Sequence, residues 1–173
     1  KTLRDASKVV FPGQGSMRDC VERLNSLDIV DELRRCLVTK PFFGICLGKQ
    51  ILFEYSEEGR SRGLGFLPGK VKRFKTKNSV KIPHMGWNTV SIKRNHPVFS
   101  GILKNEREEA YFYFVHSFFS KPDDHRVVLG ETIHGEVFAS VISSENVLAT
   151  QFHPEKSSEN GLMLLKNFAG WNP

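Results

Sequence analysis

Nine consecutive residues, Phe42-Phe43-Gly44-Ile45-Cys46-Leu47-Gly48-Lys49-Gln50, decide the fold of this chain. The first five are apolar or small, as in a strand buried inside a sheet, and they run into the pattern G-x-C-x-G. That pattern is typical of a nucleophile on a sharp strand-to-helix turn, where glycines let two backbones approach closely. It predicts a strand over 42–46, a helix from Leu47 to about Ser56, and Cys46 as a candidate nucleophile between them.

A second stretch, Gln151-Phe152-His153-Pro154-Glu155, follows another apolar segment and offers the partners that a nucleophilic cysteine needs. A thiol requires a base to become a thiolate, and the base requires a third group to fix its tautomer. His153 and Glu155 suit these two roles. G-x-C-x-G alone fits a buried structural cysteine equally well, but the second stretch favours the catalytic interpretation. A metal site is disfavoured, because no third ligand follows at helical or hairpin spacing.

Composition limits the classes of protein that the chain can belong to. Its 173 residues, 39% hydrophobic and 25% charged, suit one soluble domain. No apolar run approaches the ~20 residues of a membrane helix, and the chain opens without a signal-peptide pattern. Its 3 cysteines include no C-x-x-C pair, so a disulfide framework is not expected. We therefore expect a cytoplasmic protein with no membrane partner.

The net charge of +6 raises the question of nucleic-acid binding. The basic residues are spread along the chain, and the densest cluster, Lys70 to Lys81, alternates with Val71, Phe74 and Val80. Such alternation is typical of one solvated face of a strand, and no nucleic-acid motif accompanies it. We expect no nucleic-acid partner. An acidic protein partner or a phosphorylated metabolite handled nearby would account for the charge equally well.

The order of elements predicts an α/β fold in which a mostly parallel central sheet, flanked by helices, carries an antiparallel extension. Strands are predicted over 9–11, 42–46, 71–74, 89–93, 111–119, 127–133, 136–143 and 147–152. Two short helices with a break at 25–28, the helix after Leu47 and a last helix from Ser158 to about Ala169 complete the elements. A turn follows the first strand at Pro12 to Gly15, residues 57–68 are predicted as loop, and His134-Gly135 is predicted as a hairpin turn.

The two stretches around Cys46 and His153 together resemble the signature of class I (triad) glutamine amidotransferases. Pro83-His84-Met85-Gly86-Trp87-Asn88 and Tyr113-Phe114-Val115-His116-Ser117-Phe118 resemble one branch, the glutaminase subunits of imidazole glycerol phosphate synthase. The resemblance implies one amidotransferase domain over 1–173. It also implies hydrolysis of L-glutamine to glutamate and ammonia, without cofactor or metal, and delivery of the ammonia to a (β/α)8 cyclase subunit in histidine biosynthesis.

The chain departs from the family's pattern at its start. Class I glutaminases begin with a strand, a helix and a second strand before the Pro-Gly-x-Gly turn, and here only about ten residues precede Pro12. About one βαβ unit is therefore missing, and we expect either a longer native chain or an exposed strand edge, which carries a risk of aggregation.

By resemblance, Cys46 is the nucleophile, His153 the base and Glu155 the residue that orients it. The oxyanion would meet the backbone N–H groups of Leu47 and, after a peptide flip, Gln14, although an ordinary βα turn is the alternative at Gln14. The glutamine pocket would be lined by further residues and by the main chain of a strand end: Gly15, Leu47, Gln50, His116, Ser117 and Phe118.

Two residues are implied at the subunit interface, Trp87 and Lys156. Trp after Gly suits an anchor in a partner surface, although a core aromatic is the alternative reading of Trp87. Two further alternatives concern the whole chain. It could be the glutaminase of another pathway, such as anthranilate, guanylate or pyridoxal phosphate synthesis, or a catalytically inactive relative that only binds a partner.

Overall fold

A computed structural model of the chain describes residues 3–75, 80–102 and 109–173. The α-helices in these ranges are α1 (Met17–Ser26), α2 (Val30–Thr39), α3 (Leu47–Gln50) and α4 (Ser158–Gly170). The strands are β1 (Val9–Gly13), β2 (Phe42–Cys46), β3 (Phe53–Ser56), β4 (Ser61–Arg62), β5 (Leu67–Arg73), β6 (His84–Ile92), β7 (Glu109–His116), β8 (Phe118–Pro122), β9 (Val128–His134), β10 (Glu136–Ser144) and β11 (Val147–Thr150). None of these helices is long and apolar enough to cross a membrane.

The larger sheet has seven strands in the order β1-β2-β11-β10-β9-β6-β7. Strands β1, β2 and β11 are parallel, and the remaining neighbours pair antiparallel. The predicted fold class is confirmed, with the antiparallel extension forming the larger part of the sheet. Strand β1 forms one edge of this sheet.

The parallel part is covered on both faces, as its apolar sequence predicts. Successive side chains of a strand point to opposite faces, so Phe42 packs in the cluster that contains Leu33 and Leu37 of α2. Phe43 packs on the other face with Phe168 of α4. Strand β2 is buried along its whole length, and its carboxyl end therefore holds the next residues in a fixed position.

A second sheet has four strands in the order β4-β3-β5-β8, and it corrects the predicted helix from Leu47 to Ser56. Helix α3 ends at Gln50, and β3 occupies residues 53–56. The carbonyls of Ile51, Leu52 and Phe53 accept hydrogen bonds from the backbone of residues 64–67. Because these carbonyls are taken by a distant segment, the helix cannot continue. The predicted loop over 57–68 is wrong in part, since it contains β4 and the start of β5.

The strand predicted over 111–119 is two strands in different sheets. Strand β7 belongs to the larger sheet and β8 to the smaller one, and Ser117 lies between them. The carbonyl of Ser117 accepts from the backbone N–H of Phe74, 3.2 Å away. The chain therefore crosses between the sheets at residues 116–118, beside the carboxyl end of β2.

Candidate active site

Cys46 lies on a strained turn between β2 and α3. Its backbone angles are φ 53° and ψ −106°, a combination that residues other than glycine rarely adopt. Two glycines make this turn possible. A Cβ at Gly44 would clash with the Gly48 carbonyl, and a Cβ at Gly48 would clash with the Phe11 carbonyl of β1. The close backbone approach predicted from G-x-C-x-G is therefore present.

His153 and Glu155 form a hydrogen-bonded pair just after β11. Nδ1 of His153 lies 2.7 Å from Oε1 of Glu155, and because a carboxylate only accepts, Nδ1 carries the proton. The imidazole is buried, with 3% of its side chain exposed, while the carboxylate is 46% exposed. The backbone N–H of His153 donates to the Tyr113 carbonyl of β7 at 2.9 Å. Glu155 thus orients the ring, β7 holds the backbone that carries it, and Nε2 remains for proton transfer.

Cys46 and His153 line one cavity of about 370 Å³, a size usual for small-molecule sites. All the residues predicted for the site line it except Glu155, which lies behind His153, and Trp87. The lining residues among them are Gln14, Gly15, Cys46, Leu47, Gln50, His116, Ser117, Phe118, His153 and Lys156. Glu58 and Val115 line it as well.

The Cys46 thiol is held in its neutral form in this structure. Burial raises its pKa to about 11, and the Glu155 carboxylate also raises it. The backbone N–H of Leu47, the ammonium of Lys49 and the amide of Gln151 lower the pKa but do not offset burial. The Gln151 amide donates to the Cys46 sulfur at 3.7 Å. A thiolate therefore requires transfer of the proton to a base within the site.

Comparison with known proteins agrees with this geometry. Residues 3–170 match the family model "Glutamine amidotransferase class-I". The chain belongs to this family. It is 48% identical over 172 residues to imidazole glycerol phosphate synthase subunit HisH of Neisseria gonorrhoeae, covering 96% of this chain and 79% of that relative.

Two further comparisons extend this result. Subunit HisH of Chromobacterium violaceum is also 48% identical, with 96% of this chain and 79% of that protein covered. A solved glutamine amidotransferase shares the fold of this class I amidotransferase with a TM-score of 0.62. Its sequence identity is 19%, and the match covers 94% of this chain and 79% of that one.

The two residues with candidate oxyanion donors, Leu47 and Gln14, both line the cavity of this amidotransferase. Leu47 begins α3, and its backbone N–H is hydrogen-bonded to the Cys46 sulfur. Gln14 follows β1 and lines the cavity. The next residue, Gly15, has φ 91° with open space around its Cβ position. Gln14 therefore sits in a segment that is free of close packing on one side.

Gln50 connects the nucleophile helix to the far wall of the cavity. Its amide donates to the Phe118 carbonyl at 2.9 Å and to the Gln151 side-chain oxygen at 3.3 Å. Sequence reasoning quoted Gln151 within its motif but gave it no role. Its position two residues before His153, within the same motif, is the signal that could have found it.

Glu58 is a second cavity residue that sequence reasoning missed. It lies in the segment predicted as loop, and its carboxylate accepts from the backbone N–H of Met17, the first residue of α1, at 3.2 Å. The sequence carries no motif around Glu58, so only the tertiary structure brings it to the site.

The side chain of His116 is engaged away from catalysis. Its Nδ1 lies 2.8 Å from the Phe118 carbonyl, so this nitrogen carries the proton. Its Nε2 then accepts from Nδ1 of His84 at 3.0 Å, and Nε2 of His84 accepts from Asn88 at 3.1 Å. His134 stacks on His84 at 4.1 Å between ring centres. Sequence reasoning did not anticipate this cluster.

Burial keeps two histidines of this cluster, His84 and His116, neutral. Burial, together with a smaller repulsion from His134, lowers the pKa of His84 to about 4. The pKa of His116 is also well below its usual value, chiefly through burial. With both ring nitrogens of His116 bonded, the cluster fixes the main chain of residues 116–118. No group of three or more His, Cys, Asp or Glu side chains in the described ranges is arranged to hold a metal ion.

Trp87 and Lys156 both face outward. Trp87 is 54% exposed on β6 and contacts the Tyr113 ring of β7 edge-on, with centres 6.2 Å apart. The core alternative for Trp87 is therefore wrong. Lys156 is exposed at the rim of the cavity. Met85 and Tyr111 on the same two strands are also exposed, so an apolar surface lies beside the cavity.

Proposed function

We propose that this chain is the glutaminase subunit of an imidazole glycerol phosphate synthase. It hydrolyses L-glutamine at Cys46 and passes the ammonia to a (β/α)8 cyclase subunit. The observation that carries the proposal is the strained Cys46 turn, which opens onto the same cavity as the His153–Glu155 pair. The relatives at 48% identity, named as subunits HisH of this synthase, favour this pathway over other glutaminases. The intact triad argues against an inactive relative.

The first half of the reaction releases ammonia. Nε2 of His153 takes the proton of the Cys46 thiol, and the thiolate attacks the side-chain amide carbon of glutamine. The carbonyl oxygen becomes an oxyanion, for which the backbone N–H of Leu47 is one donor. The imidazolium, stabilised by Glu155, then protonates the leaving nitrogen. The carbon–nitrogen bond breaks, and ammonia and a γ-glutamyl thioester result.

The second half of the reaction restores the thiol. Ammonia leaves the cavity and water takes its place. His153 accepts a proton from this water, the hydroxide attacks the thioester carbon, and the same oxyanion donors act again. The carbon–sulfur bond breaks, the imidazolium returns its proton to the sulfur of Cys46, and glutamate is released.

Gln14 is proposed as the second oxyanion donor. Two donors aimed at the developing charge stabilise it far more than one, and the loss of a donor typically lowers kcat by about 10²–10³. The open space beside Gly15 leaves room for the Gln14 peptide to turn its N–H into the cavity. The donor would then be completed only when substrate and partner are in place, a shift of a pre-existing population.

The cavity also suits the amino-acid end of glutamine. The Glu58 carboxylate can accept from an α-ammonium group, while the main chain of His116, Ser117 and Phe118 supplies donors and acceptors for the α-carboxylate. Gln50 and Gly15 would form the remaining walls. The histidine cluster fixes the main chain of residues 116–118, so the α-carboxylate would meet a rigid surface.

The cyclase partner is proposed to bind at Trp87 and Lys156. An exposed tryptophan backed by a tyrosine is the kind of residue that dominates binding energy at protein interfaces. Lys156 at the cavity rim would pair with an acidic group of the cyclase. Ammonia formed at Cys46 would thus leave toward the partner rather than toward bulk water. A reducing cytoplasm is proposed as the compartment, because the catalytic thiol must stay reduced.

The test uses the complex with the cyclase and compares two nitrogen sources. Cys46→Ser is expected to abolish synthesis with glutamine and to leave synthesis with added ammonium salt unchanged, because only the release of ammonia needs the thiol. Cys36→Ser, which alters a buried cysteine elsewhere, is the matched control and should retain both activities. A Cys46→Ser complex that still uses glutamine at the wild-type rate would refute the proposal.

A further inference from the structure

A lysine is completely buried behind the nucleophile. Lys49 lies on α3, three residues after Cys46, and its side chain has 0% exposure. Its ammonium nitrogen donates to the Ala139 carbonyl of β10 at 2.7 Å and to the Ser120 hydroxyl of β8. The side chain therefore crosses the space between the two sheets, on the side of α3 away from the cavity.

Burial of the Lys49 ammonium does not increase the stability of the fold. An ammonium has three donors and loses much hydration energy when it is buried, and the two acceptors of Lys49 are both neutral. Burial lowers its pKa to about 7. A methionine would fill a similar space without that penalty, and replacing buried charge by an apolar side chain is often neutral or stabilising. The charge thus calls for another role.

The ionisable groups around Lys49 indicate that role. Its charge acts on the Cys46 thiol and lowers the pKa of that thiol, whereas the Glu155 carboxylate raises it. The thiolate in turn raises the pKa of Lys49. On the β7 side, burial lowers the pKa of His116 most, and the charge of Lys49 adds to this effect. Lys49 does not line the cavity, so its effect reaches the reaction only through Cys46.

We propose that Lys49 is a positioning residue for glutamine hydrolysis whose buried ammonium, held between β8 and β10 behind the strained turn, stabilises the Cys46 thiolate. This inference rests on the proposed function, in which Cys46 must become a thiolate. Thiolate and ammonium support each other. As the sulfur gains negative charge, Lys49 retains its proton more firmly, and the carboxylate of Glu155 is opposed by a positive charge on the other side of the sulfur.

The test measures the reactivity of Cys46 against pH in variants of the full chain. Lys49→Met removes the charge and keeps the volume. Lys49→Gln removes the charge and keeps a donor for Ser120 and Ala139. Lys121→Met, at an exposed lysine next to Ser120 on β8, is the matched control. The rate of alkylation of Cys46 by iodoacetamide is followed by mass spectrometry of the peptide that contains it, and kcat/KM for glutamine is measured over the same pH range.

Both Lys49 variants are expected to slow the alkylation of Cys46 about tenfold at pH 6, below the pKa of about 7 at which Lys49 loses its charge. The acidic limb of kcat/KM should move to higher pH, while Tm stays equal or rises in Lys49→Met. Lys121→Met should change none of these. If Lys49→Met does not fold, Lys49→Gln decides the question.

An unchanged rate of Cys46 alkylation at pH 6 in a folded Lys49 variant would overturn the inference. Alkylation does not depend on glutamine hydrolysis, so the two proposals fail separately. A chain without glutaminase activity whose Cys46 alkylation is still slowed in Lys49→Met would refute the proposed function and leave the role of Lys49 intact. An active glutaminase with an unchanged alkylation rate in Lys49→Met would do the reverse.

Discussion

Two histidines line the same cavity, and their partners make them chemically different. Nδ1 of His153 bonds a half-exposed carboxylate, Glu155, which stabilises a positive charge on the ring. Both ring nitrogens of His116 bond neutral groups, the Phe118 carbonyl and the His84 ring. The first arrangement suits a histidine that gains and loses a proton, and the second suits one that stays neutral and holds the main chain in place.

The largest effect is expected at the histidine that carries the proton. His153→Ala should lower kcat for glutamine by at least about 10³-fold and match Cys46→Ser, because members of a catalytic unit are not additive. The double variant should be no worse than either single one. The measurement is steady-state ammonia release. If the loss of kcat in the double variant equals the product of the two single losses, Cys46 and His153 act independently, and His153 is not the base that serves Cys46.

Removal of the carboxylate should have a smaller effect. Glu155→Gln keeps a polar group beside His153 but cannot stabilise the imidazolium, and we expect kcat to fall by about 10²-fold. The effect is smaller than at His153 because water reaches the half-exposed side chain and partly replaces the charge. Substitution of Glu159, an acid on α4, is the control. An unchanged kcat in Glu155→Gln would mean that the 2.7 Å contact plays no part in proton transfer.

The buried, neutral His84 should make the stability of the fold depend on pH. Burial lowers the pKa of His84 from 6.5 to about 4. Between these pH values the unfolded chain binds a proton at His84, whereas the folded chain does not. The stability held above pH 6.5 is therefore lost as the pH falls toward about 4. Urea unfolding over this range measures the slope. His84→Asn should flatten it, and an equal slope in wild type and variant would contradict a neutral, buried His84.

The smallest effect on the isolated subunit is expected at Trp87. The strand that carries His84 inward carries Trp87 outward, so Trp87→Ala should leave the cluster intact and change stability by no more than about 0.5 kcal/mol. The free energy with which the Trp87→Ala variant binds the cyclase should become less favourable by at least about 2 kcal/mol. Leu162→Ala, at an exposed apolar residue of α4, is the control for surface hydrophobicity. Equal affinities of the two variants would remove Trp87 from the interface.

Sequence was sufficient where local pattern and burial agree. Strand β2 was predicted with its observed bounds because a continuous apolar run before G-x-C-x-G fits only a buried strand and a tight turn. The break between α1 and α2, the His134-Gly135 hairpin and helix α4 were also predicted. In each case neighbours in sequence determine the structure.

Sequence was insufficient where distant segments compete for the same groups. Helix α3 stops at Gln50 because the backbone of residues 64–67 takes the carbonyls that would continue it. The burial of Lys49 depends on acceptors 71 and 90 residues away in sequence, at Ser120 and Ala139. The pairing of His84 with His116 likewise depends on the register of β6 and β7. No local pattern carries this information.

The central claim is that Cys46 alone attacks glutamine, and the chain's other two cysteines provide internal controls. Cys36 is buried and Cys20 is partly buried. The most direct measurement is mass spectrometry of the protein quenched in acid during turnover, followed by identification of the modified peptide. One γ-glutamyl group is expected on Cys46 in the wild type, and none in Cys46→Ser. A γ-glutamyl group on Cys20 or Cys36, or turnover of glutamine by Cys46→Ser at the wild-type rate, would contradict the claim.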